Sequence, residues 1–337
     1  MNPYPMRTVP ILKEKVWGGD RLEFFNKPVK PGDSIGESWE LVSIPSTSPD
    51  GGGGDAAHSA IDNGPAKGAT LKDLARDMGQ QLMGNARLTS DGAFPLLAKF
   101  LDARTNLSVQ VHPSPAFAAR NPDAHLKTET WYILDAEPGS VIYKGIKPGV
   151  TESQFKNAIN NDTVGELMNA LEVKPGDTHH MPSGICHALG KGVLVAEIQM
   201  PSDTTFRVYD WGREGRTLHI DQAMQCLSFP GTTPEPGTRA DDSEHTPTAL
   251  ERNEHYAIVE LRSIDGETMD VELPRPAPTV LMCVEGAGSI EPPTPDAFDP
   301  VPFRKGDTFL LPASLTALRL DFARDTTLLD VTIQPDA

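Results

Sequence analysis

The residues best equipped for chemistry lie in one stretch, Asn106 to Trp131, which reads NLSVQVHPSPAFAARNPDAHLKTETW. Alternation along a strand puts Ser108, Gln110 and His112 on one face and Leu107, Val109 and Val111 on the other. An imidazole, an amide oxygen and the later carboxylate of Glu129 form a donor set suited to a borderline-to-hard divalent metal ion. A further donor is expected from Val173 to His187 (VKPGDTHHMPSGICH), where PGD and PSG mark two turns that hold His187 at the start of a strand. Alone, His187 reads equally well as a packed histidine. With the other three it completes the three or four ligands used by a catalytic metal that keeps open positions.

The surrounding chain supplies the elements that must position these groups. Residues 7–43 alternate apolar and polar in short runs, as strands and loops do, and GESWELV (Glu37, Trp39, Glu40) reads as a sheet aromatic with solvated neighbours. Residues 46–69 are small, polar and glycine-rich and are expected to form a flexible surface loop with a solvated His58. The GGGG within it lacks the following GK[ST] and helix of a phosphate-binding loop. Thr70 to Met83 has the spacing of a helix, with Thr70 as N-cap, Gly84 as stop, and Leu71, Leu74, Ala75, Met78 and Leu82 on one face. Lys99, the one cation in FPLLAKFLDA, either snorkels to solvent or points into a pocket.

Beyond Glu129, two strands joined at Glu137–Gly139 are expected. Two short helices should follow, one with a Thr151/Gln154 capping box and one capped by Thr163 over VGELMNAL. The segment after His187 reads as a strand pair with Glu197 and Gln199 on one face. Arg207, in TTFRVYDW, reads as a surface ion pair or, beside a metal pocket, as a group that holds an anion or polarises an oxygen. His179 and His180 are adjacent, so at most one faces a pocket. His125, His219, His245 and His255 lie in polar settings and carry no chemical expectation.

The organisation expected is a catalytic unit over 1–230, a Pro/Gly-rich linker at 231–250, and a second β unit over 251–337. FRKGDTFLLPASLTA in that second unit repeats the rhythm of KPGDTHHMPSGICHA. Aligned on Pro182 and Pro312, Ala317 falls where His187 stands, so the second copy is structural. With 31 Pro and 29 Gly in 337 residues, short strands and turns are favoured over long helices.

The formal charge of −17, with 47 acidic against 30 basic residues and no basic stripe, argues against nucleic acid or anionic membrane as partner. A few basic groups inside a pocket can still hold a small anion. Cys186, Cys226 and Cys283 show no CxxC spacing, and no signal-like or membrane-spanning run is seen; a soluble, cytoplasmic protein is expected. On the residues alone, a metal enzyme in a β-barrel pocket ranks first, a metal-stabilised ligand-binding module second and a structural β-protein third.

FPLLAKFLDARTNLSVQVHP, KTETWYIL, KPGDTHHMPSGICHALGKGVLVAEIQMPSDTTFRVYDWGR and the early KVWGGDRL and GESWELVS resemble class I mannose-6-phosphate isomerases of the short bacterial type, over residues 9–229. The resemblance implies a mainly β fold of two cupin-like jelly-roll barrels with a few short helices. It also implies a zinc enzyme that interconverts mannose 6-phosphate and fructose 6-phosphate through a cis-enediol. Carried over by motif, the metal ligands are Gln110, His112, Glu129 and His187, with Lys127 and Arg207 catalytic and Ser108 and Lys99 near the sugar and its phosphate. Lys127 and a water on the metal are alternative bases, and Arg207 is placed on either the developing charge or the phosphate. Two features depart from the family: the polar loop at 46–69, and VYDWGR where VYDYDR is usual. Another metal cupin enzyme, or a sugar-phosphate-binding module without turnover, are the alternatives, and no oligomeric state is implied.

Overall fold

The computed structural model describes residues 2–45, 56–240, 247–273, 277–323 and 325–334. Three strands, Ile35–Leu41, Leu97–Asp102 and Val193–Gln199, are buried at every position. A strand buried on both faces must lie in a sheet covered on both sides. Alternation then sends neighbouring residues into two different layers. Leu101, Trp131, Ile133 and Val195 enter one apolar cluster, and Phe100, Tyr132, Leu194 and Ala196 enter another.

Four antiparallel sheets are stacked in consequence. The inner sheet of the first half has the order Thr178–Met181, Glu129–Ala136, Val193–Gln199, Leu97–Asp102, Ile35–Leu41, Ile11–Gly19. Its outer partner runs Met168–Glu172, Val141–Ile146, His187–Leu189, Val109–Val111, Phe206–Tyr209. In the second half the six-stranded inner sheet holds Tyr256–Ser263, Thr279–Glu285 and Thr326–Ile333, and the four-stranded outer sheet is centred on Ala317–Phe322 and Ala287–Glu291. The fold is mainly β and cupin-like, but each half is an open sandwich rather than a closed barrel, since among the described residues no strand belongs to both of its sheets.

The two inner sheets share one core. Phe100, Tyr132 and Ile198 from the first pack with Tyr256, Ile258 and Leu329 from the second. Polar contacts cross this layer as well: the Tyr132 hydroxyl donates to Glu260 at 2.9 Å, the Thr130 and Tyr256 hydroxyls bond at 3.0 Å, and the Lys27 ammonium, bonded to Glu40 at 2.7 Å, also donates to the Gly306 carbonyl. Met6–Arg7, at the start of the chain, pairs with Phe309–Leu310 and so sits in the second half's sheet.

The repeat seen in sequence is structural. In each copy a four-residue inner-sheet strand, Thr178–Met181 or Thr308–Leu311, turns at its proline into an outer-sheet strand, beginning at His187 or Ala317.

Several expectations are modified. The helix from Thr70 breaks at Gly79, whose φ of +49° is outside the helical range, into Leu71–Met78 and Gln80–Met83; the Thr70 cap and the Gly84 stop are as expected. Thr151 and Gln154 form their capping box, but only a 3-10 turn, Val164–Leu167, follows, and Met168–Glu172 is a strand. After the buried Met168 its residues alternate half-buried and exposed against Val141–Ile146, so pairing overrides the helical spacing. The strands before and after Glu137–Gly139 enter different sheets, as do those of the pair after His187.

Of the loop at 46–69, residues 46–55 lie outside the described part. The rest is packed: Ser59, Ile61 and Ala66 are buried, and His58 bonds Ser43 at 3.0 Å. The start of the expected linker is tied to the first half. Gly231 bridges Pro148, Thr238 bridges Thr178, and the Glu235 carbonyl accepts from Lys144 at 3.1 Å.

Candidate metal centre

Site residues come from both sheets of the first sandwich. In the outer sheet His187 is register-paired with Gln110, which is paired on its other side with Arg207. In the inner sheet Glu129, Trp131, Glu197, Lys99, Glu37 and Trp39 share the face that looks back across the sandwich. The structure therefore gathers the four expected ligands at one place. Ligand atoms of His112, Glu129 and His187 all lie within 4.8 Å of one another, and all three side chains are fully buried. The Gln110 amide nitrogen is 3.4 Å from His187 Nε2, and turning the amide over puts its oxygen in the same position.

The hydrogen bonds fix what these atoms can do. His112 Nδ1 lies 3.1 Å from the Thr204 carbonyl and His187 Nδ1 lies 2.9 Å from the Ile185 carbonyl. Each Nδ1 must carry its proton, because a carbonyl only accepts. In the neutral rings, Nε2 is then a bare lone pair, and in both cases it faces a Glu129 oxygen at 3.1 Å. Burial, reinforced by Lys127, pushes the His112 pKa down to about 3, so that ring is neutral at physiological pH. For Glu129, burial opposes ionisation, but the Lys127 ammonium, 2.8 Å away, outweighs it and holds the carboxyl well below its usual range. Lone pairs aimed at a carboxylate, with Glu129 Oε1 lacking a hydrogen-bond partner among the described residues, fit a site built around a cation.

Above this cluster a cavity of about 140 Å³ opens to solvent. Its cations are Lys13, Lys15, Lys99, Lys127, Arg207 and Arg216, and its acidic groups are Glu37, Glu197 and Asp203. Lys127 lies 2.8 Å from Glu129, and Ser108 lines the wall. Lys99 does not snorkel. Its ammonium is buried 3.0 Å from Glu197 and 3.8 Å from Glu37, and although burial alone would discharge it, those carboxylates raise its pKa. Arg207 lines the cavity and donates to the Thr217 carbonyl at 2.7 Å.

Some lining residues were missed in sequence. Glu37 is not solvated: it accepts from Trp39 Nε1 at 2.6 Å and pairs with Lys15 at 3.1 Å. Glu197 accepts from Trp131 Nε1 at 3.0 Å, and the edge of Trp131 packs on the His187 ring at 5.4 Å. Glu37 and Trp39 share strand parity, which was the available signal; Arg216, in an irregular loop, left none. Trp211 of VYDWGR occupies the left-handed region at φ +58°, a conformation that is costly for a bulky residue. Its indole hydrogen bond to the Leu107 carbonyl and ring contacts to Tyr143 and Tyr209 hold it there. His179 faces the sandwich interior, but the backbone at Gly237 covers its ring.

This fold, with its buried histidine–carboxylate cluster under a basic cavity, makes the chain a two-half cupin protein with a candidate metal centre. The sequence profile of the phosphomannose isomerase type I catalytic domain matches residues 8–157. Over 331 residues the chain is 33% identical to the mannose-6-phosphate isomerase ManA of Bacillus subtilis, covering 95% of this chain and 97% of that one. It is 36% identical over 267 residues to the probable mannose-6-phosphate isomerase GmuF of the same organism, covering 77% of each. The crystal structure of the Bacillus subtilis mannose 6-phosphate isomerase superposes with a TM-score of 0.76 at 29% identity, covering 97% of this chain and 99% of that one. The chain belongs to the type I phosphomannose isomerase family.

Proposed function

We propose that the chain interconverts mannose 6-phosphate and fructose 6-phosphate using one zinc ion held by Gln110, His112, Glu129 and His187. Membership of the family makes it an isomerase, and the observation that carries the metal reading is the pair of Nε2 lone pairs facing Glu129 in a buried pocket. Two imidazole nitrogens, a carboxylate and an amide oxygen are donors that zinc accepts. When bound, the ion supplies Lewis acidity to the substrate oxygens at carbons 1 and 2.

The chain's own residues do the rest. Aldose–ketose isomerisation moves a proton between those carbons through a cis-enediol, so a proton carrier must stand beside them. We assign that role to Lys127, which lines the cavity 2.8 Å from Glu129. Lys99 is not, because the raised pKa imposed by Glu197 and Glu37 keeps it a fixed cation that orients the sugar. Arg207 offers a guanidinium to negative charge on the substrate, and Ser108 a hydroxyl to the sugar.

The test is a coupled assay with mannose 6-phosphate on metal-analysed protein, with His187→Ala alongside. We expect turnover to vanish on chelation and return with zinc, and His187→Ala to lose metal and turnover while its circular dichroism is unchanged. Turnover that survives chelation, or a variant with full metal content, contradicts the assignment.

A further inference from the structure

We infer that Gln199 is a positioning residue for the metal centre: its amide holds the loop at 200–204, and through the Thr204 carbonyl that loop keeps the ring proton of His112 on Nδ1. The inference deepens the zinc reading above and rests on it.

Gln199 ends the strand Val193–Gln199 and is fully buried. It lies two residues beyond Glu197, so it shares that residue's face, and it is register-paired with Glu129. Its amide nitrogen donates to two carbonyls, that of Met200 at 2.8 Å and that of Ser202 at 2.6 Å. Both N–H bonds are used, while Oε1 is buried without a partner among the described residues. Turning the amide over would set its oxygen against two carbonyl oxygens and lose both bonds, so its orientation is fixed. An unpaired buried acceptor is a cost, and here it accompanies two donors committed to the loop.

That loop carries the chain from the inner sheet to the outer strand Phe206–Tyr209. Within it the Ser202 amide donates to the Met200 carbonyl at 2.7 Å, and the Thr204 amide donates to Ser202 Oγ at 3.2 Å. The turn held by Gln199 therefore sets where the Thr204 carbonyl stands. His112 has an acceptor at each ring nitrogen: that carbonyl at Nδ1 and Glu129 Oε2 at Nε2, both at 3.1 Å. A neutral imidazole has a single N–H to give. With the proton on Nδ1, Nε2 keeps its lone pair for a cation; with the proton on Nε2, the ring donates to Glu129 and that ligand position closes. If the loop slackens, the carboxylate is the stronger acceptor and draws the proton to Nε2.

Gln199→Met keeps the side chain's length and approximate volume and removes both donors. Zinc affinity should be measured on the intact chain by competition with a chelator. The His112 tautomer should be read by long-range proton–nitrogen NMR of the metal-free chain, with the ring assigned through His112→Gln. In Gln199→Met the dissociation constant for zinc should rise roughly tenfold to a hundredfold, and His112 should pass from the Nδ1–H to the Nε2–H form. An unchanged zinc affinity, or a ring still protonated on Nδ1, overturns the inference whatever happens to the melting temperature, because a merely structural role moves stability alone. If Gln199→Met does not fold, Gln199→Glu decides, since its carboxylate keeps the shape and lacks the pair of donors. A wild type that binds no zinc refutes the metal reading, and the tautomer comparison then still decides the role of Gln199.

Discussion

Glu37 illustrates how a residue without a proposed chemical step can govern the cavity. Burial opposes its ionisation, yet Lys15 and Lys99, with the Trp39 indole, hold its pKa at about 2 against the ordinary 4.5. The folded state binds the carboxylate form more tightly than the unfolded chain does. Its stabilisation is therefore complete above the ordinary value and lost as pH falls through about 2. The lever is on the order of 3 kcal/mol. Glu37→Gln should lower the melting temperature by several degrees at pH 7, and the gap from wild type should close as pH falls from about 4.5 to 2. A gap that stays constant with pH would show that Glu37 acts by packing alone.

At the scale of elements, the segment 231–240 is the informative one. Its Pro/Gly composition suggests a free linker, yet it bridges Pro148 and the strand residue Thr178 of the first sandwich and covers His179, whose ring nitrogens find no hydrogen-bond partner among the described residues. Burial, with Lys144 adding to it, pushes the His179 pKa down to about 4, so the ring stays neutral beneath the segment. The close approach needs glycine: a Cβ at position 237 would lie 2.5 Å from His179 Cε1. Gly237→Ala should cost about 1–3 kcal/mol, as overpacking does, and lower the melting temperature while metal content is kept. An unchanged melting temperature would mean that the segment rests loosely on the ring.

Across the whole molecule, the two halves share a layer that neither can bury alone. Phe100, Tyr132 and Ile198 on one side, and Tyr256, Ile258 and Leu329 on the other, are at most 7% exposed. The first strand of the chain and the Lys27–Glu40–Gly306 contacts tie the halves further. A fragment ending at residue 240 would expose an apolar sheet face to water. Such a fragment should lack native near-ultraviolet circular dichroism and bind a hydrophobic dye strongly. Native dichroism with little dye binding would show the halves to be independent.

Local signals carry far in this protein. Strand parity put Gln110 and His112 on one face, turn residues marked the approach to His187, and the spacing of KPGD and RKGD exposed the duplication, because each depends on a few adjacent residues. Capping boxes at Thr70 and Thr151 were legible for the same reason. What sequence could not decide was pairing between distant segments. Met168–Glu172 is a strand because Val141–Ile146 lies beside it, Glu37 is a cavity group because Lys15 and Lys99 converge on it, and Arg216 reaches the cavity because Asp210 and Arg207 draw its loop there. Alternation along a strand tells which residues share a face; only the stacking of sheets decides whether that face meets water, an apolar layer or a buried site.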